Sequence, residues 1–584
     1  MTAADLIPTL PALPADVMAA LWTPGIVLML AGLVAAIGSQ TIRAAALLLG
    51  PLLAFLVLLD TPVGTTVTLD WLGFELTPVR HDRLSLVFVL VFLLAALLAG
   101  VYALHSKSRL EVSSALIYAG AAVGAVMAGD LVTLFIYWEL TAIASVFLIW
   151  VNGTDRAYRA GMRYLLVQVI SGLLLIGGAV VIWRETGTLA FDRMALESPA
   201  TWAIFVAFGI KAAFPLLNGW MQDGYPEGSV IGTVVLSAFT TKLAIYALAR
   251  GFPGTELLIP IGAAMAVWPA IPAILETDLR RVLAYALNCQ LGFMVVGIGV
   301  GTAEGINGAV GHAFASTLYQ GLLYMATGAV LFRMGTVEVS RLGGLARAMP
   351  LTAAFCIVGA AAMAAAPLFS SYVVKSLTLS AAAHEGHYAA YVALIVAGGL
   401  AVVHGGLKVP YLAFFAPRRG PAPAEEPREA PANMLIAMAL AAGVTVGLGV
   451  SPTAFYALLP FPVDYAPYKT ASVLTQLQLL VFAALAFALL LRWGLVIRDR
   501  KVVVLNTDWL YRVPGRFLAV ELSDQAAQFR AGLARIGMGL ARDLGGFFLR
   551  THGPEGVMAR PWPIGLTVMW VAIVLVCSLV LYYL

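Results

Sequence analysis

Residues 131–150 read LVTLFIYWELTAIASVFLIW, a run in which a single ionisable side chain, Glu139, stands near the middle. A helix of about 20 residues rises about 30 Å, the thickness of bilayer hydrocarbon. The stretch therefore reads as a membrane span with a carboxyl group far from either end. Similar apolar runs recur along all 584 residues, which are 61% hydrophobic and 11% charged, with a mean hydropathy of +0.91. A soluble domain is about 25% charged. The composition excludes a soluble globular enzyme, a disordered chain and a disulfide scaffold, and predicts an all-α polytopic membrane protein.

Hydropathy and breaker residues predict about 16 spans. They begin near Leu21, Ala44, Leu84, Val112, Leu131, Gly161, Trp202, Ser229, Leu257, Arg281, Ile306, Leu351, Ala389, Met434, Val473 and Pro563. The alternating segment TTVTLDWLGFELT (65–77) reads as a small hairpin on the outer surface. RRGPAPAEEPREAP (418–431) reads as a loop of disordered type. Loops after odd-numbered spans hold 25 of the 35 Lys and Arg; those after even-numbered spans hold 6, namely Arg80, Arg83, Arg184, Arg193, Arg250 and Lys469. The excess marks the cytoplasmic side and places both termini outside, in a bacterial cell (inner) membrane. No basic stretch precedes the first apolar run, so no cleaved signal peptide is expected. The net charge of +4 is spread over short loops and gives no reason to expect nucleic acid.

The four remaining basic residues, Lys211, Lys242, Lys375 and Lys408, fall inside predicted spans. The chain has only 7 Lys against 28 Arg, yet every basic residue placed in the membrane is Lys. Arg would serve as well in a structural ion pair, whereas a buried Lys can release its proton. Intramembrane ionisable groups cost about 2.5–3.5 kcal/mol each on insertion scales, so four lysines point to proton handling. Burial beside acids is the plainer alternative. Glu139 is the deepest acid; Asp130 starts the same span and reads equally well as a helix-start acid. His312 and His404 lie in the eleventh and thirteenth spans, as proton carriers or satisfied core residues. Asp223 and Glu227 fall in GWMQDGYPEGSV, read as loop at a span end. Asp278, Arg280 and Arg281 form a charge cluster explained by orientation alone. No nucleotide, haem or other cofactor motif is present, and Cys289, Cys356 and Cys577 form no metal-binding pattern, so neither cofactor nor metal is expected.

FIYWELTAIASVFLIW, GIKAAFPLLNGWMQDGYPE, LSAFTTKLAIYALARGFPG, ETDLRRVLAYALNCQLGFM and FSSYVVKSLTLSA occur in an order and spacing that closely resemble one family. It is the antiporter-like family shared by the D-type subunit of Mrp-type cation (Na+)/H+ antiporters and the proton-pumping membrane subunits of complex I and membrane-bound hydrogenases. The resemblance runs over 84–415. It implies two inverted five-helix repeats, 112–250 and 257–415, each with one interrupted helix, around Gly209, Pro215 and Gly219 in the first and Pro367 in the second. They would follow N-terminal helices and the outer hairpin (1–111), and precede C-terminal helices (416–495), a cytoplasmic segment (496–562) and a final span (563–584). Position by position, the resemblance makes Glu139 and Lys211 a gating pair. Lys242, His312 and Lys375 continue the line in the membrane plane, and His404, Lys408 and Asp130 are candidates for its exit or for accessory roles.

The family's eleventh span carries His and Lys at the places held here by Ser316 and Gln320 in GHAFASTLYQG, which interrupts the line. Over 517–550, Leu522, Phe529, Leu533, Ile536, Leu540, Leu544 and Phe547 share a helical face, predicting a lateral amphipathic helix on the cytoplasmic surface. It resembles, in shorter form, the strap of the longest complex I subunit of this kind. The leading expectation is a membrane transporter subunit, not an enzyme, moving protons in a multi-subunit sodium/proton antiporter. The alternatives are a non-conducting structural paralogue, or a subunit of a redox-driven hydrogenase, a complex I-like assembly or an inorganic-carbon uptake complex. Implied partners are the other subunits, the lipid bilayer, H+ and Na+.

Overall fold

The computed structural model describes residues 15–71, 73–418, 427–494, 509, 513–556, 558–560 and 563–583. Residues 1–508 and 509–584 are two separate compact units. Twelve described helices are long and apolar enough to cross a membrane, so the chain is a multi-pass membrane protein. The sequence count of about 16 is not reached by that criterion, and the reason is local. Helix Pro24–Ile37 is short, and Pro199–Lys211 and Pro350–Met363 stop halfway. Ala303–Met334 has 32 residues but carries Asn307, His312, Ser316, Thr317 and Gln320 along its length.

The hairpin expected over 65–77 is present as an antiparallel pair, Thr66–Trp71 with Phe74–Arg80, displaced slightly toward the C-terminus. Thr77 N–H donates to Asp130 (2.7 Å), and Arg80 pairs with Asp192 (2.7 Å). Asp82 caps helix Arg83–Ala103 and accepts from Arg250. Burial works to raise the Asp82 carboxyl, but Arg250, the Ser85 N–H and Arg80 outweigh it and hold the group below its ordinary value. The loop over 418–431 lies mostly outside the described residues.

One pattern organises the core. Helices Asp155–Thr186 and Ala303–Met334 are both 32 residues long, begin 148 positions apart, and end at left-handed Gly187 and Gly335. Asp130 and Asp278, also 148 apart, each cap a helix by accepting two backbone N–H bonds, and each sits in an isolated bridge, with Ala190 and Glu338. The chain breaks recur as well. After Lys211 the backbone turns left-handed at Ala213 and Leu216; after Met363 it does so at Ala365 and Leu368, each 152 residues later. Positive φ at a non-glycine residue is uncommon, and KAAFPL and MAAAPL carry it at equivalent places. Proline two residues beyond Ala213 and Ala365 stops the helix and withholds an N–H. The segment after Asn218 departs from expectation. Asp223 and Glu227 lie on a short helix, Gly219–Gly224, and a 3-10 turn, Tyr225–Glu227, rather than in loop. There Asp223 pairs with Arg163 and Glu227 with Arg156.

Helix–helix contacts inside a bilayer rest on close packing rather than on water exclusion. Helix Pro24–Ile37 crosses Arg109–Met127 through Gly25, Gly120 and Gly124. A Cβ on Gly120 would stand 2.5 Å from the Gly25 carbonyl oxygen. The obstacle is backbone, so it cannot step aside. Gly120→Val is expected to cost about 1–3 kcal/mol by overpacking, read as a lower thermal midpoint of the purified chain. Gly447→Val, where a Cβ meets nothing within 4 Å, should leave the midpoint unchanged.

The second unit holds helix Pro514–His552 and helix Ile564–Tyr583. The first has 39 residues, about 58 Å at 1.5 Å per residue, and extends beyond the expected 517–550 at both ends. Leu522, Phe529 and Ile536 are each more than 60% exposed, so its apolar seam is unpartnered within the unit.

Candidate functional site

Glu139 lies midway along helix Leu131–Trp150 and is half-buried. Its Oε1 is buried without a hydrogen-bond partner. Gly172, on helix Asp155–Thr186, faces it so closely that a Cβ would overlap the carboxylate.

Lys211 ends helix Pro199–Lys211 and is fully buried. Its Nζ donates to the Trp138 carbonyl (2.6 Å) and Thr141 Oγ1 (3.1 Å), and lies 4.3 Å from the Trp138 ring centroid. These partners flank Glu139 on the same helix. Glu139 and Lys211 are within electrostatic reach of each other but form no ion pair within 4.0 Å. The pair implied by the resemblance is therefore a near pair, with Trp138 and Thr141 holding the ammonium.

The other lysines repeat the arrangement. Lys242 Nζ donates to the Ser237 carbonyl (2.7 Å), where helix Val230–Ala238 gives way to Thr240–Gly251. Lys375 Nζ donates to the carbonyl of Met363 (2.9 Å), the last residue before the second break, and lies 4.8 Å from the Phe293 ring. Lys408 lies in a π-helical stretch, Val402–Lys408. It donates to the carbonyls of Ala273 (3.0 Å), Ile274 (2.7 Å) and Glu276 (2.6 Å) at the end of helix Ala270–Leu275. A lysine at a helix C-terminus satisfies carbonyls that have no intrahelical donor. Among the described residues none of the four has an acid within ion-pair distance. The reading of these lysines as partners of buried acids is not what the geometry gives.

Between Lys242 and Lys375 lies His312, fully buried, with both lysine charges bearing on it. Its Nε2 is 3.0 Å from the Tyr319 hydroxyl, which in turn donates to Gln290 Oε1 (3.2 Å). Its ring packs against Phe293 at 5.7 Å. Gln320 Nε2 is tied to the Leu283 carbonyl (2.8 Å) with Oε1 unpartnered, and Ser316 Oγ donates to the Ala313 carbonyl (3.2 Å). The three positions share a face, as their spacing of four predicts; His312 leads through Tyr319 to Gln290, whereas Gln320 ends on a backbone carbonyl of helix Leu279–Val300 and Ser316 on one of its own helix. Tyr319 and Gln290 join His312 in one hydrogen-bonded chain and were missed in the sequence; an uncharged Tyr or Gln in an apolar run carries little signal.

His404 is buried with neither ring nitrogen bonded, under the charges of Lys408 and Lys375. Gln168, Gln222, Thr241, Asn288, Ser370 and Ser371 also hold buried polar atoms without a protein partner. Each such atom costs about 1–3 kcal/mol unless solvated. Asp130 stands apart. It accepts from Val132, Thr133 and Thr77, a helix cap that pins the hairpin, as its plainer reading predicts.

The chain is similar to several known membrane proteins. The model of the NADH:quinone oxidoreductase/Mrp antiporter transmembrane family matches residues 128–401. Hydrogenase-4 component B of Escherichia coli is 26% identical over 64% of this chain and 62% of its own length. The D-type subunit of the Na(+)/H(+) antiporter of Alkalihalophilus pseudofirmus is 29% identical over 51% of this chain and 64% of its own. The chain thus spans somewhat over three fifths of these relatives. Among solved structures, a chain of the archaeal membrane-bound sulfane sulfur reductase superposes with a TM-score of 0.69 at 20% identity. It covers 96% of this chain and all of its own. One from the Mrp complex of Dietzia gives 0.67 at 21% identity, covering 81% and 99%. The chain is thus similar, over 128–401, to membrane subunits of the NADH:quinone oxidoreductase/Mrp antiporter family.

Replacing Gly172 with alanine should displace the Glu139 carboxylate without breaking the fold, since the atoms that must move end a flexible side chain. Stability is expected to stay within about 1 kcal/mol of wild type. The infrared carboxyl band assigned to Glu139, by its loss in Glu139→Gln, is expected to shift.

Proposed function

We propose that this chain is the proton-translocating subunit of a multi-subunit cation (Na+)/H+ antiporter or a related complex. Protons move along a line in the membrane plane through Glu139, Lys211, Lys242, His312 and Lys375, with His404 and Lys408 toward the exit. The observation that carries the reading is the company of the lysines. Each of the four is buried on neutral backbone carbonyls with no acid in ion-pair contact. A charge so placed is held by dipoles alone, and its proton can pass to a neighbour without breaking a salt bridge. Names of the relatives, a sodium/proton antiporter subunit and a hydrogenase component, support the same class. The chain resides in the bacterial inner membrane with both termini outside, on the arithmetic of its loops, and its partners are the other subunits of the assembly.

A second reading has one observation in its favour. Gln320 stands where the family carries a proton-bearing residue and is anchored to the Leu283 carbonyl. A chain so interrupted would serve as a non-conducting scaffold.

Both readings meet in one assay, proton/cation exchange in everted vesicles holding the whole native complex. Losing an essential proton carrier is worth about 10²–10⁴ in rate. Lys375→Ala and Glu139→Ala are expected to lower exchange at least that far with the complex still assembled. Unchanged exchange in both would leave the scaffold. Gln320→Lys raises exchange if the line is broken there, and leaves it unchanged if Tyr319 and Gln290 already carry the connection.

A further inference from the structure

Arg83 and Lys469 line one cavity of about 630 Å³. Arg83 is the first residue of span Arg83–Ala103, and Lys469 immediately precedes span Thr470–Arg492. The cavity therefore sits where two spans begin, at the boundary between hydrocarbon and water. Its other walls come from the connection 452–469, with Tyr456, Phe461, Tyr465 and Tyr468 among them. Aromatic side chains with one polar end favour that depth.

The charge at this place is unusual for its side of the membrane. Only six cations lie in loops after even-numbered spans. Arg80 and Arg250 are committed to Asp82 and Asp192. Arg83 and Lys469 are exposed and have no acid within ion-pair distance among the described residues. Asp82, next to Arg83, is occupied by Arg250, and Asp464, on the connection itself, does not line the cavity. Two free cations thus share one aromatic-walled space at headgroup depth.

We propose that this cavity binds an anionic phosphate headgroup of a membrane phospholipid. The phosphate lies against Arg83 and Lys469, and the glycerol and first methylenes against Tyr456, Phe461 and Tyr468. Such a ligand would bear on the transport line through protein contacts. Tyr456 donates to the Val373 carbonyl (2.8 Å), and Tyr372 to the Pro467 carbonyl (2.9 Å). Helix Ser370–His384, which carries Lys375, is thereby stitched to the wall of the cavity. Tyr465 also borders a second cavity, of about 510 Å³, that reaches Lys375 itself.

Lipid binding is read without transport, so its outcome is independent of the proposed function. The purified full chain in detergent is titrated with phosphatidylglycerol, phosphatidylcholine or inorganic phosphate, and bound ligand and thermal midpoint are followed by native mass spectrometry and melting. Wild type is expected to retain phosphatidylglycerol in preference to phosphatidylcholine. The double variant Arg83→Gln/Lys469→Gln should bind it about 10- to 30-fold more weakly, two surface cations having been removed. The charge-conserving Arg83→Lys/Lys469→Arg should keep it, which separates loss of charge from loss of fold. Inorganic phosphate reproducing the effect would assign the cavity to a free anion of the same chemistry; no effect assigns the lipid. Equal retention of phosphatidylglycerol by the Gln variant, or of phosphatidylcholine by wild type, overturns the proposal.

Discussion

An ammonium group inside a bilayer needs partners, and in this protein the partners are peptide carbonyls. Each interior carbonyl of a continuous helix already accepts one bond; Lys211 shares such a carbonyl, that of Trp138, together with Thr141 Oγ1. For the other three lysines the chain supplies carbonyls by interrupting helices. Met363 presents its carbonyl where a helix stops, Ser237 where one gives way to the next, and Ala273, Ile274 and Glu276 where another ends. Lysine tenancy and helix interruption are one requirement seen from two sides. Prolines, left-handed alanines and a π-helical stretch that look like defects in isolation are what make a charged core tolerable.

The same requirement spaces the buried charges. Carbonyl partners fix each lysine separately, so neighbours interact through intervening groups. Trp138 and Thr141, on the helix that carries Glu139, hold Lys211; Phe293 packs against both Lys375 and His312. At an effective dielectric near 20, unit charges about 4 Å apart would couple by about 4 kcal/mol. Separating Glu139 from Lys211 avoids so deep a trap while keeping each within the other's field.

Much of this was legible in the sequence, because composition and charge scarcity speak loudly in a membrane protein. Lys211, Lys242, Lys375 and Lys408 stood out as the only basic residues inside apolar runs, and the hairpin and lateral helix showed through their periodicities. What the sequence hid was local geometry. Hydropathy cannot distinguish a span from two half-helices, so the breaks after Lys211 and Met363 upset the count of spans. Nor does a cluster such as Asp223 and Glu227, with Gly and Pro around it, announce that it will form helical turns tied to Arg163 and Arg156. Tyr319 and Gln290 were invisible because their importance lies in which neighbour they reach.

The 148-residue correspondence carries one more consequence. Shifted by that interval, Glu139 falls on Leu287, and Gly172, which makes room for its carboxylate, falls on Gln320. Here one half keeps an acid and the hollow that receives it, while the other has filled both places with neutral groups. The matched backbone frame thus carries an unmatched electrostatic profile, with a carboxylate in one half and a neutral side chain at the corresponding place in the other.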